Sequence, residues 1–295
     1  MFQNSLNIKK YRSNAIKILE KHNNLVKKKT GLISKIKVPM SQPAVDSETE
    51  NYMFDVIKSG WWSQGKITKQ FEKNLSEYFP SNAVVVNNGT SAITAALLAH
   101  GIKPGDKVVV PDYTFIATCS AAKIIGAEIL VADVDPNTLN VKPQSIEKLV
   151  KENDVKAVIV VDMAGLPVDL EPIIELSKRY KFVLIEDAAQ AIGSEYKNKK
   201  IGSFEHTATF SFTVAKIITT IEGGCITTGN KEILEKLFQL RNFGRSGDGQ
   251  YVHILNSVNF RFNDIQAALG IKQLEKIDNF ITRRIEIAKM YEENI

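Results

Sequence analysis

The chain of 295 residues is 44% hydrophobic and 24% charged, enough apolar content for one large core or two domains and too much for a disordered or collagen-like chain. Its 38 Lys and Arg against 33 Asp and Glu give a net charge of +5. Ten of those cations lie between Lys9 and Lys37 against the single acid Glu20, so the remainder is mildly acidic and the charge is no argument for nucleic-acid binding.

In chain order, residues 1–36 read as a basic helical extension. Ile16, Ile18, Leu19 and Leu25 are too sparse among its lysines to make a membrane-inserting face. Helices are predicted over 47–58 and 68–78, separated by the turn-rich stretch Gly60-Trp61-Trp62-Ser63-Gln64-Gly65. Short β-branched runs then alternate with helical stretches. Strands are predicted at 83–86, 107–110, 128–134, 157–162, 182–185, 208–212 and 225–228, and helices at 91–100, 117–125, 143–151 and 170–178. Apolar strands separated by helices predict an α/β fold with a mostly parallel sheet covered on both faces. After Lys231 the chain turns helical, and 264–293 is expected to be one long helix.

Cys119 and Cys225 sit in apolar or small-residue stretches with no metal or disulfide spacing, which reads as reduced thiols in a cytoplasmic protein. No apolar segment follows a basic cluster at the start, and no apolar run is long enough to span a membrane. His22, His100, His206 and His253 have no metal-ligand spacing, and His206 is expected at the surface.

In open α/β sheets ligands collect at the carboxyl ends of the strands, so the residues just past each strand are the candidate site. After 83–86 comes Asn87-Asn88-Gly89-Thr90-Ser91. A glycine with small hydroxyl residues at a helix start offers backbone N–H groups to a phosphate, although the same residues also cap helices for structural reasons. After 107–110 come the rim aromatics Tyr113 and Phe115. After 182–185 comes the pair Glu186-Asp187, of which strand alternation lets only one face a ligand; a helix N-cap is the competing reading. After 208–212 comes Lys216, which by itself could be a surface charge. A lysine amine, a desolvated acid and a phosphate cup are together what pyridoxal phosphate requires.

At these residues the chain resembles the DegT/DnrJ/EryC1/StrS family of sugar aminotransferases, which have the type I, aspartate-aminotransferase-like fold. The resemblance runs from about Val38 onward. It is carried by NNGTSA at 87–92, PDYTFIAT at 111–118, IEDAAQAIGSEY at 185–196, ATFSFTVAKIITTIEGG at 208–224 and NFRFNDIQAALG at 259–270.

The resemblance implies that Lys216 is the Schiff-base lysine and Asp187 the partner of the pyridine nitrogen. It puts Gln190 at the ring hydroxyl and Phe115 on the ring face. Gly89, Thr90, Ser91 and Ser211 fall at the phosphate, and Asn259 reaches the phosphate of a neighbouring subunit in a homodimer with shared sites. The loop 60–65 falls near the substrate entrance. Some members of the family lack the lysine and act as dehydratases, so Lys216 favours transamination. The continuation TVAKIITTIEGG is similar to members that aminate carbon 4 of a nucleotide-linked 4-keto-6-deoxy sugar, with glutamate as the expected amino donor, in the biosynthesis of amino sugars for surface glycans. The domains expected are the 1–36 extension, a large cofactor domain over 37–260, and a long helix over 261–295 opening a small domain that is cut short. The alternative expectation is a homologue that keeps the fold and has lost turnover.

Overall fold

A computed structural model describes residues 41–247 and 251–294, and the predicted extension over 1–36 lies outside them. Helix α1 (Ser47–Lys58) starts at Asp46, whose carboxylate accepts from Thr49 N and Oγ1 at 3.0 and 2.7 Å. Helix α2 (Lys66–Tyr78) buries Phe71 and Leu75 completely along one face. The alternation that follows is β1 (Asn82–Val86), α3 (Gly89–Ala99), β2 (Lys107–Pro111), α4 (Ala117–Ile124), β3 (Glu128–Ala132), α5 (Pro143–Glu152), β4 (Val155–Val161), α6 (Leu170–Tyr180) and β5 (Val183–Asp187). A short hairpin, β6 (Glu195–Tyr196) and β7 (Lys199–Lys200), precedes β8 (Thr207–Ser211) and β9 (Gly224–Thr228). Helices α7 (Lys231–Arg241), α8 (Asp264–Leu274) and α9 (Ile277–Asn294) complete the described elements.

Seven strands form one sheet in the order β1-β9-β8-β5-β4-β2-β3. Only β9 runs against the rest, antiparallel to both β1 and β8, while β8, β5, β4, β2 and β3 pair in parallel. Each face carries its own core. On one, Val158, Val160 and Leu184 pack with Phe71 of α2, Ile146 of α5, Leu170 and Ile173 of α6, and Ile271 of α8. On the other, Ile159 and Ile185 pack with Ala92, Ala96 and Leu97 of α3, Ala121 of α4 and Leu237 of α7. Complete burial of each Val, Ile or Leu stabilises by about 1.5–3 kcal/mol, which is why these strands are apolar on both sides rather than alternating. Helix α3, with the sequence GTSAITAALLA, is buried almost all round; its alanines let it lie close against β1, β8 and β9.

Three boundaries differ from expectation. Strand β3 stops at Ala132, because Val134 leaves the ladder to bridge Val141. Strand β5 extends to include both acids, so Glu186 and Asp187 are its last two residues rather than the turn beyond it. The long helix expected over 264–293 breaks after Leu274, where Lys276 N donates to Gln273 O and tightens the turn. The reason is packing: α8 is buried against α1 and α2, whereas of α9 only Ile277 is fully buried. The described residues between α7 and α8 are also not helical; isolated bridges join Asn242 to Asn259 and Arg245 to His253.

Candidate active site

The turn after β1 meets the end of β8 at close range. Asn88 caps α3, its Oδ1 accepting from Ser91 N at 2.8 Å. A Cβ on Gly89 would lie 2.9 Å from Ser211 Cβ, and one on Gly224 would lie 2.5 Å from the backbone O of Asn88. Only hydrogen fits at either position, and the two glycines let the start of α3 touch Ser211 and the first residue of β9. Gly89, Thr90 and Ser91 therefore lie at a helix N-terminus that touches Ser211, where the first N–H groups have no partner within the helix.

Asp187 stands on the α3–α4 side of the sheet and is only 6% exposed. Its Oδ2 accepts from Thr118 Oγ1 at 2.7 Å, its Oδ1 from Ala189 N at 3.2 Å, and Thr118 Oγ1 is 2.9 Å from Thr114 Oγ1. Burial pushes the Asp187 carboxyl above its ordinary value, against the opposing pull of these bonds and of the nearby Lys216 charge. Lys216 lies in a turn closed by Lys216 N to Thr213 O at 3.0 Å. Burial lowers its ammonium pKa, and the charge of Asp187 works the other way. The two feel each other's charge, yet among the described residues neither has an ion-pair partner within 4.0 Å.

Gln190 follows on the turn after β5. Its Oε1 accepts from Ala164 N at 3.1 Å and its Nε2 lies 3.8 Å from Met163 Sδ, so the turn after β4 braces it. Phe115 keeps 71% of its surface exposed at the start of α4, with Tyr113 beside it at 53%. Asn259 is not hydrogen-bonded to any of these residues: its Oδ1 accepts from Arg261 N at 2.9 Å. Its segment is nevertheless tied to the turn after β1, because Phe260 O accepts from Asn87 N at 3.1 Å.

The loop 60–65 is held from far along the chain. Asp264, 1% exposed, accepts from Gly65 N at 2.8 Å, Thr68 N at 2.9 Å and Thr68 Oγ1 at 2.7 Å through Oδ1, and from Ile67 N at 3.2 Å through Oδ2. It caps α2, whose Gly65 has no side chain to do so. Next to it lies a cavity of about 930 Å³ lined by Tyr52, Trp61, Gln64, Lys69, Arg245 and Arg261, among others. Neither Asp187 nor Lys216 lines that cavity.

Sequence reasoning missed three things here. Thr118 has a readable signal, since Thr114 and Thr118 are one helical turn apart. The role of Asp264 as a cap in trans has none. His206, expected at the surface, is largely covered, its side chain 9% exposed, with Nε2 3.0 Å from Glu186 Oε2 on the sheet face opposite Asp187.

The donor set fits pyridoxal phosphate: a buried acid with no ion pair among the described residues, an amine whose charge is disfavoured, an exposed aromatic face, and a helix N-terminus that two glycines bring against Ser211. Known proteins point the same way. The chain is 38% identical to the GDP-perosamine synthase of Escherichia coli O157:H7 over 88% of its own length and 71% of that protein. It is 37% identical to a UDP-4-amino-4,6-dideoxy-N-acetyl-beta-L-altrosamine transaminase of Campylobacter jejuni, over 86% of its length and 69% of that protein. Among solved structures, Helicobacter pylori PseC, an aminotransferase involved in the biosynthesis of pseudoaminic acid, superposes with a TM-score of 0.80 at 32% identity, over 86% of this chain and 70% of that one. The model of the DegT/DnrJ/EryC1/StrS aminotransferase family, whose members are of the pyridoxal-phosphate-dependent type, matches residues 43–295. Together with the strand order and the strand-end residues, these matches make the chain a member of the DegT/DnrJ/EryC1/StrS aminotransferase family.

Proposed function

We propose that this chain is a pyridoxal-phosphate-dependent aminotransferase that moves an amino group, with glutamate as donor, onto a nucleotide-linked 4-keto-6-deoxy sugar, supplying an amino sugar for surface glycans. The observation that carries the reading is the pair Lys216 and Asp187, each partly or wholly buried, within electrostatic reach of each other and neither ion-paired among the described residues. The relatives support the substrate class: one is named for perosamine on GDP and one for a 4-amino-4,6-dideoxy sugar on UDP. The alternative of a homologue without turnover gains no support from relatives with such names.

When bound, pyridoxal phosphate supplies an electron sink for negative charge at the substrate carbon that carries nitrogen. Asp187, as the anion, would stay beside the ring nitrogen and keep it protonated, and Thr118 would hold the orientation of that carboxylate. Lys216 would hold the cofactor, and its amine, with the charged form disfavoured by burial, would take and return a proton at the substrate carbon. Gly89, Thr90, Ser91 and Ser211 would take the phosphate, Phe115 the ring face and Gln190 the ring hydroxyl. Asn259 would complete the phosphate site of a second copy, making a homodimer. Residues 37–260 would form the cofactor domain, and 261–295 would open a small domain.

The test is borohydride reduction of the purified protein with pyridoxal phosphate, followed by peptide mapping. An adduct on Lys216, lost in Lys216→Ala while that variant stays folded, is the expected result. No adduct on Lys216 in folded protein would overturn the reading.

A further inference from the structure

Behind Asp187, on the other face of the sheet, lies a second cluster of titratable groups that the reaction above does not use. Glu186 is 0% exposed, and so is Asp162, the residue just past β4. The register pairs Val160 with Glu186 and Val161 with Asp187, so Asp162, two residues beyond Val160, lies on the Glu186 side. Each carboxyl is half satisfied. Asp162 Oδ1 accepts from Val168 N at 3.0 Å, and Glu186 Oε2 lies 3.0 Å from His206 Nε2. Asp162 Oδ2 and Glu186 Oε1 are buried with no hydrogen-bond partner as ionised groups. The two carboxyl groups are also within hydrogen-bonding reach of each other, provided that one of them carries a proton.

Two unpaired anionic oxygens in a dry interior are mutually repulsive and unsolvated, whereas a carboxylic acid donating to a carboxylate closes both vacancies with one proton. We propose that Asp162 and Glu186 share one proton in the folded protein, with neutral His206 donating to Glu186, and that this acid pair positions the strand ends that carry Asp187 and Gln190. The charged groups that act on the cluster are Asp187, on β5 but on the other face of the sheet, and Lys199 from β7; the Phe204 ring stacks 5.7 Å from the His206 ring, and His206 also borders a pocket shared with Ser177, Lys178 and Glu205. Burial pushes both carboxyls up and holds the His206 imidazole down at about 4, as a neutral donor beside a half-protonated pair requires.

The link to the candidate site is through the backbone. Asp162 N donates to Asp187 O at 3.2 Å, and Asp162 O accepts from Gly165 N at 3.1 Å, closing the turn whose Ala164 N holds Gln190. Fastening Asp162 to Glu186 therefore fixes the spacing of the two strand ends. A shared proton also leaves one negative charge there rather than two, which spares Asp187 a second buried anion as neighbour. The positioning role rests on the function proposed above; the shared proton does not.

The experiment is infrared spectroscopy of the full chain at neutral pH without cofactor, with NMR of the His206 ring. A carboxylic-acid C=O band, lost in both Glu186→Gln and Asp162→Asn, and a neutral imidazole are expected. The same chain loaded with pyridoxal phosphate is then mixed with L-glutamate and the single-turnover rate read from absorbance. Glu186→Gln keeps a donor facing Asp162 and should react within about threefold of the parent, while Glu186→Leu should slow about tenfold or more at saturating glutamate. Asp162→Asn, with its own amide donor, is the second conservative variant and should behave as Glu186→Gln. An imidazolium at His206 with no acid band would overturn the shared proton. Equal rates for the Gln and Leu variants would overturn the positioning role. A failure of Lys216 to form the adduct would leave the infrared band in place, so the two failures are distinguishable.

Discussion

Asp187 is expensive to bury and has a hydroxyl, a backbone N–H and a distant ammonium to offset the cost. Neutral partners at both oxygens, with no ion pair among the described residues, leave the carboxylate able to stabilise a cation beside it, which a salt-bridged carboxylate could not do as well. Asp187→Asn should therefore still bind the cofactor but slow the reaction with glutamate by about 100-fold or more, because the ring nitrogen loses its charge partner. Stopped-flow absorbance of the loaded variant checks this, and an unchanged rate would identify the wrong acid. Glu186, its neighbour in sequence, cannot substitute, since alternation sends it to the His206 side.

The loop 60–65 depends on a helix cap that comes from elsewhere in the chain. The first N–H groups of α2 have no partner in their own helix, and Gly65 brings no side chain, so Asp264 at the start of α8 accepts four hydrogen bonds from this region. Helix α8 can come that near because Gly270 faces Phe71, where a Cβ would lie 2.5 Å from the ring. Asp264→Ala removes all four hydrogen bonds at once and should cost about 1–3 kcal/mol or more, the range for leaving a buried donor without a partner. Urea unfolding checks the cost. Tryptophan fluorescence should report a loosened loop, since Trp62 O accepts from Asp264 N at 3.2 Å.

Across the whole molecule, buried groups tie distant segments into one unit. Glu72 of α2 accepts from Val85 N at 3.0 Å and pairs with Arg241 of α7, which also donates to Val85 O at 2.9 Å. His100, at the end of α3, lies 2.8 Å from Thr207 Oγ1 at the start of β8. Burial lowers both His100 and His206 from 6.5 to about 4. A depressed histidine is neutral in the folded chain, so its contribution is fully present above the unfolded value and is lost as pH falls from 6.5 through about 4. His100→Gln should remove about 2 kcal/mol of the stability change between pH 7 and pH 5, with His206 supplying a similar share of what remains. Denaturant titrations at the two pH values measure it; an unaltered difference would show that His100 titrates freely.

Much of this was legible before any coordinates. The alternation of apolar runs with amphipathic stretches determined the strands, most of the helices and the covered, mostly parallel sheet, because backbone hydrogen bonding and burial act over a few residues at a time. The strand-end rule picked out Asp187, Lys216 and the Gly89 turn for the same reason: a polar residue at the end of a buried strand is visible in one dimension. Tertiary structure alone decided the rest. That β9 runs antiparallel, that 264–293 breaks where burial ends, that Asp264 caps a helix almost 200 residues away, and that His206 turns inward to Glu186 beside Asp162 all depend on which segments meet. Such meetings are selected by packing and by the need to satisfy buried polar groups across the whole chain, and no local pattern records them.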